Sequence, residues 1–104
     1  MTVQINTDSN VEGSARSKAY FSDELEKALI RFEEKITRLE VHFGDENSDK
    51  SGMNDKRCLI EARIINMQPV AVTNHAETTE KAFHGALDKI KKVLETTFEK
   101  KKTY

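Results

Sequence analysis

The sequence predicts an α+β fold: a two-layer sandwich in the order β-α-β-β-β-α, with a four-stranded sheet and both helices on one face. Three observations predict it. Apolar residues recur at helical spacing in two long stretches, and each stretch has a single apolar stripe. Apolar and polar residues alternate in four shorter stretches, as strands with one wet face require. The last three of these are joined by links short enough for an antiparallel meander.

The first strand covers about Thr2 to Asn6, where Val3 and Ile5 alternate with Gln4 and Asn6. The polar break TDSNVEGS follows, and Ser14 is a candidate N-cap. The first helix is expected from about Ala15 to Lys35, with Phe21, Leu25, Ala28, Leu29 and Phe32 as its stripe. The period then changes. Leu39, Val41 and Phe43 alternate with Arg38, Glu40 and His42, which marks a second strand. GDENSDKSGMND reads as a hairpin connection rich in Gly, Asn, Asp and Ser.

The third strand covers about Lys56 to Ile65, with Cys58, Ile60, Ala62 and Ile64 inward because the other phase carries Arg57, Glu61 and Arg63. Asn66 to Pro69 turns the chain into a fourth strand, about Val70 to His75, with Val70 and Val72 inward. Thr78 or Thr79 begins the last helix. Phe83, Ala86, Leu87, Ile90, Val93, Leu94 and Phe98 make its stripe. The 104 residues fit one domain, 1–104, whose basic tail over 99–104 is expected to fray.

Composition excludes several classes of function. The net charge is -1, so there is no global basic field, and any nucleic-acid contact must use a local patch. No apolar run approaches the roughly 18 residues of a membrane span, and the N-terminus lacks a secretory pattern. A single cysteine rules out an internal disulfide and fits the cytoplasm. Cys58, His42, His75 and His84 are the candidates for nucleophilic or metal chemistry, and they show no paired ligand spacing. Asp45, Glu46, Asp49 and Asp55 lack the closing glutamate of a calcium loop. Neither an enzyme nor a cofactor, metal or small-molecule substrate is expected.

The charges on the helices form the main functional signal. At about 100° per residue, Lys27, Arg31 and Lys35 fall on one side of the first stripe, and Glu26 and Glu33 on the other. Lys81, Lys89, Lys92 and Lys100 share a sector beside the second stripe, and Glu77, Asp88 and Glu95 occupy the neighbouring one. Lysine clusters bind a phosphate polyanion by releasing its counterions, and RNA helices are read by shape and backbone. From the residues alone, a solvated flank that serves solubility is the commoner reading. Arg38, Arg57, Arg63, His42 and His75 are expected on the outer sheet face. That phase holds no Phe or Tyr for base stacking, and Glu40 and Glu61 offer cross-strand charge pairing instead.

The chain resembles the ribosome hibernation promoting factor and RaiA family, also called sigma-54 modulation proteins. The resemblance covers VQINTDSNVEGS, KALIRFEEKITRLEVHF, DKRCLIEARI, QPVAVTNHAETTEKAFHGALDKIKKVLE and the basic end. It is carried by their order along the chain, since no single motif is diagnostic. It implies a fold related to double-stranded RNA-binding domains. It also implies a translation-inhibiting hibernation factor that occupies the tRNA and mRNA channel of the small ribosomal subunit under stress or in stationary phase. The partner would be ribosomal RNA, bound through Lys27, Arg31, Lys35, Lys81, Lys89, Lys92 and Lys100, and the protein would be a monomer off the ribosome. Long members carry a further C-terminal dimerisation domain, so this chain reads as a short-type member. It departs from the family in charge, because Glu33, Glu34, Asp88 and Glu95 dilute the basic helices. That departure supports the alternative of a protein-interaction module with the same fold and weak or no RNA binding.

Overall fold

Four strands form a single sheet in the order β1-β2-β3-β4, and the apolar side chains of their inner faces meet two helices in one core. A computed structural model describes residues 1–7, 15–45 and 55–102, with side chains through Glu99. The elements are β1 (Thr2–Thr7), α1 (Ala15–Leu29), a 3-10 turn (Ile30–Phe32), β2 (Ile36–Asp45), β3 (Lys56–Ile64), β4 (Val70–Ala76) and α2 (Thr79–Lys102). The expected order and sheet are therefore those observed. Ser14, the loop residues 46–54 and the end of the tail lie outside the described residues.

The strand phases follow from the alternation. β1 pairs parallel with β2, Val3 against Leu39 and Ile5 against Val41. β2 pairs antiparallel with β3, Val41 against Ile60 and Phe43 against Cys58. β3 pairs antiparallel with β4, Ile60 against Val72. These residues therefore share one face, and both helices cover it. The ring of Phe21 on α1 lies 4.7 Å from Phe83 on α2 and 4.8 Å from Phe43 on β2. Tyr20 lies near His84 at one end, and Phe32 lies near Phe98 at the other. The helices are thus neighbours that run in the same direction.

Three details differ from the sequence reading. The α-helix stops at Leu29 and tightens into the 3-10 turn, so Lys35 lies beyond it at the entry to β2. Such tightening is common where a helix ends, and here it turns Phe32 onto Phe98 at 5.1 Å. β2 starts at Ile36, ahead of the alternating stretch that begins at Arg38. Ile36 and Leu39 are both buried, a spacing that strict alternation forbids, and a register shift between Ile36 and Arg38 absorbs the extra residue. The Thr37 hydroxyl donates to the Arg63 carbonyl at 3.2 Å beside this irregularity. Finally, Val93 is exposed and Val72 and Ala28 are only partly buried, while Ala82 joins the core.

Two local features set α2 on the sheet. The Thr78 hydroxyl accepts the Lys81 amide hydrogen at 3.1 Å, which is an N-cap. Asn74 on β4 reaches under the helix and donates to the Ala82 carbonyl at 3.2 Å. A Cβ at Gly85 would sit 2.0 Å from the Asn74 amide nitrogen, so only glycine leaves room for that contact. Between β3 and β4, Asn66 takes a positive φ of 59°, a conformation that Asn tolerates better than most residues.

Candidate nucleic-acid interface

The core stripe of α2 fixes which way its lysines point. Ala82, Phe83, Ala86, Leu87, Ile90, Leu94 and Phe98 are buried against the sheet and α1. Lys81 and Lys92 stand on the opposite side, exposed. Lys89 leans over the other way from α1, and its ammonium donates to the Thr73 carbonyl of β4 at 2.8 Å. Lys81 pairs at 2.5 Å with Glu77, whose carboxyl is held below its usual range by that hydrogen bond and then by the lysine's charge. Lys92 has no ion-pair partner among the described residues. Lys100 continues the same helix, but its side chain lies outside those described.

The cations of the first helix and of the segment after it meet other partners. Lys27 pairs with Asp23 at 3.0 Å, one turn earlier, and the bond to Asp23 raises its pKa. Arg31 crosses the seam between the helices to Glu95 at 2.6 Å and lies 4.6 Å above the Phe32 ring. The Lys35 ammonium lies 5.9 Å from the Phe98 ring centre. Arg31 and Lys35 line a groove with Phe32, Glu95, Phe98 and Glu99, where the two helices end.

The structure therefore brings Lys81, Lys89 and Lys92 together on one flank of α2. It does not join them to Lys27, Arg31 and Lys35 in one ridge. Glu80 contacts Tyr20 and Glu95 contacts Arg31, so the acidic flank of α2 faces α1 and lies between the two sets.

Sequence reasoning missed the contacts across this seam. The Tyr20 hydroxyl lies 3.2 Å from His84 Nε2 and 3.4 Å from Glu80 Oε1. Burial and then the nearby carboxylates raise its pKa. Tyr20 and His84 are 64 positions apart, and no local pattern links them. Their helical positions, both just off the apolar stripe, were the available signal.

The outer sheet face is a closed charge network. Glu40 and Glu61 lie directly opposite each other in the register, so the two carboxylates face each other and need cations from neighbouring positions. Glu40 pairs with Arg38 at 3.3 Å along its own strand and with Arg63 at 3.5 Å across the diagonal, while Arg63 also reaches Glu61 at 3.5 Å. His42 lies 3.8 Å from Glu40, and Arg38 also donates to Gln4. Among the described residues, no Phe or Tyr lies on this face. On the inner face, Cys58 is fully buried, and desolvation pushes its thiol up to about 12, against a smaller opposing effect of Arg57. It behaves as a small core hydrophobe rather than a nucleophile.

Residues 3–102 match the family described as sigma 54 modulation protein / S30EA ribosomal protein. The chain belongs to that family. Solved structures agree on the fold of this S30EA-family chain. It is similar to the N-terminal domain of Thermus thermophilus Protein Y, with a TM-score of 0.73 and 15% identity over 93% of this chain and 99% of that one. It is equally similar to a ribosomal subunit interface protein from Coxiella burnetii, with a TM-score of 0.73 and 14% identity over 95% of this chain and 99% of that one. No curated protein sequence matches.

Proposed function

We propose that this protein is a non-catalytic, cytoplasmic factor that associates with the small ribosomal subunit. It binds ribosomal RNA as a monomer, occupies the channel of tRNA and mRNA, and holds idle ribosomes inactive under stress. The observation that carries this reading is the family match over residues 3–102. The description of the Coxiella neighbour as a ribosomal subunit interface protein supports it. The lysine flank of α2 supplies the contact surface. Lys92 is free to meet a phosphate, and Lys81 is held only by an exposed partner, which a polyanion can displace. The domain acts sterically: the sheet holds α2 rigid, and the bound body excludes the RNAs that would otherwise fill the site.

Lys81, Lys89, Lys92 and Lys100 are the proposed contacts of first rank. Lys27, Arg31 and Lys35 are secondary, because the acidic flank of α2 lies between them and that set, and Glu95 already engages Arg31. Co-sedimentation with ribosomes across a salt series tests the reading. The wild type should pellet with ribosomes at low salt and be released at high salt, and Lys81→Glu with Lys92→Glu should abolish pelleting without changing thermal stability. Absence of wild-type pelleting at low salt would refute ribosome association. It would favour a protein-interaction module, which the paired Arg31 and Glu95 and the net charge of -1 also suit.

A further inference from the structure

We propose that Tyr20, Glu80 and His84 form a site for a divalent transition-metal ion such as Zn²⁺, across the seam between α1 and α2. The inference stands apart from ribosome association. Three donors of metal-ligand type converge there: a phenol oxygen, a carboxylate oxygen and an imidazole nitrogen. Two elements supply them, Tyr20 from α1 and the other two from α2. The Tyr20 oxygen lies 3.2 Å from His84 Nε2 and 3.4 Å from Glu80 Oε1. Glu80 and His84 are one turn apart on α2, so their side chains are neighbours on one helix flank. Among the described residues, no three His, Cys, Asp or Glu side chains form a metal-holding group. The third donor here is a phenol, and only the packing of the helices brings it to the other two.

These separations are those of a hydrogen-bonded cluster, and they also fit an ion. Zinc binds nitrogen and oxygen ligands at about 2.0–2.2 Å and takes tetrahedral geometry, which sets neighbouring ligand atoms about 3.3–3.6 Å apart. The observed 3.2 and 3.4 Å therefore need only a small adjustment. A shallow cleft of about 350 Å³ borders Tyr20 and Glu80, with room for a water as the fourth ligand.

The local field suits a cation. Burial, and then the charges of Glu80 and Glu24, hold the Tyr20 phenol protonated in the metal-free protein. A bound divalent ion inverts that logic, because the negative field that disfavours a phenolate attracts the ion, and the ion's charge stabilises the phenolate. Arg16 lines the same cleft and opposes the ion, while Lys81 is drawn aside by Glu77. Binding forms three metal–ligand bonds, and the phenol proton passes to solvent. The ion would staple α1 to α2 at the end of the seam opposite the Arg31–Glu95 pair.

The test titrates zinc chloride into the purified, tag-free chain by calorimetry, without ribosomes, and follows thermal unfolding at rising Zn²⁺. The wild type should bind one ion per chain, and its melting temperature should rise with free Zn²⁺, as for any ligand of the folded state alone. Zn²⁺ should also induce the near-ultraviolet absorption of a phenolate. Tyr20→Phe, Glu80→Gln and His84→Gln should each weaken binding by about tenfold or more, and Tyr20→Phe should abolish the phenolate signal. Tyr20→Phe keeps the ring that packs on Phe21 at 5.3 Å, so it serves as the folded reference, checked by circular dichroism. His42→Gln and His75→Gln should bind as the wild type does. No binding by the wild type would overturn the proposal. So would undiminished affinity in Tyr20→Phe, which would reduce the site to a pair of ligands on one helix, or a loss of binding in His42→Gln or His75→Gln, which would place the ion elsewhere.

Discussion

The two helices lie side by side and run in the same direction, yet they treat their cations differently. α1 has 15 residues and yields to a 3-10 turn. Asp23 takes up its Lys27, and Glu95 takes up Arg31 on that turn. α2 runs for 24 residues without a break and holds its lysines away from the seam. Periodicity alone makes these two flanks look equivalent. Packing separates them, because Arg31, on the turn after α1, faces the acidic flank of α2. The lesson is that the element a charged flank faces, and not its periodicity, decides which cations a carboxylate across a seam takes up.

The largest expected effect concerns how firmly each helix is seated. Phe83 is fully buried at the centre of a ring cluster with Phe21 and Phe43, and Phe32 is 8% exposed on the 3-10 turn. Phe83→Ala should destabilise by about 3–5 kcal/mol, and Phe32→Ala by less, in urea denaturation. Equal losses would mean that both helices are seated alike and would break the comparison.

A smaller, pH-dependent effect tests how well α2 and the strands beneath it exclude water. Burial raises the Cys58 thiol from 9.0 to about 12, so the folded state keeps its proton while the unfolded chain loses it. The unfolded state is then favoured as pH climbs. Stability is fully present below about pH 9 and should fall as pH rises toward the folded value, by at most about 1.4 kcal/mol per pH unit. Lysine titration overlaps this window, so the measurement is a difference. Between pH 9 and 11, the wild type should lose more stability than Cys58→Ala. Identical losses would show that the thiol reaches water.

The smallest effect sharpens the comparison at the seam itself. The Arg31 and Glu95 side chains remain 59% and 39% exposed. A double-mutant cycle of Arg31→Ala and Glu95→Ala should return a coupling of about 1 kcal/mol or less. The same Glu95→Ala change should strengthen any ribosome association, since it frees Arg31 and removes a repelling carboxylate. An unchanged affinity would place the seam outside the contact surface.

Most of the fold was legible from one sequence, and the failures are instructive. The phases of β2, β3 and β4 could be read because each strand has one wet face and a polar residue in the wrong phase is costly. The core stripe of α2 could be read for the same reason, apart from Val93 at its margin. The end of α1 could not. Phe32 and Lys35 keep helical spacing, but Phe32 turns to Phe98, and Ile36 is drawn into the sheet opposite Ile64. Those partners lie far along the chain, and they outweigh a local periodicity that costs little to abandon.

The sequence by itself determined the element order, the inward faces, the burial of Cys58 and the family. Each rests on hydrophobic alternation or on the order of motifs, and both are one-dimensional. Only the tertiary structure decided that Arg31 meets Glu95, that Tyr20 meets His84, and that Lys89 reaches the Thr73 carbonyl of β4. The physical reason is that an ion pair or a hydrogen bond between elements depends on which flank of one element faces which flank of another. Packing of the whole core sets that rotation, and no local pattern in the chain encodes it.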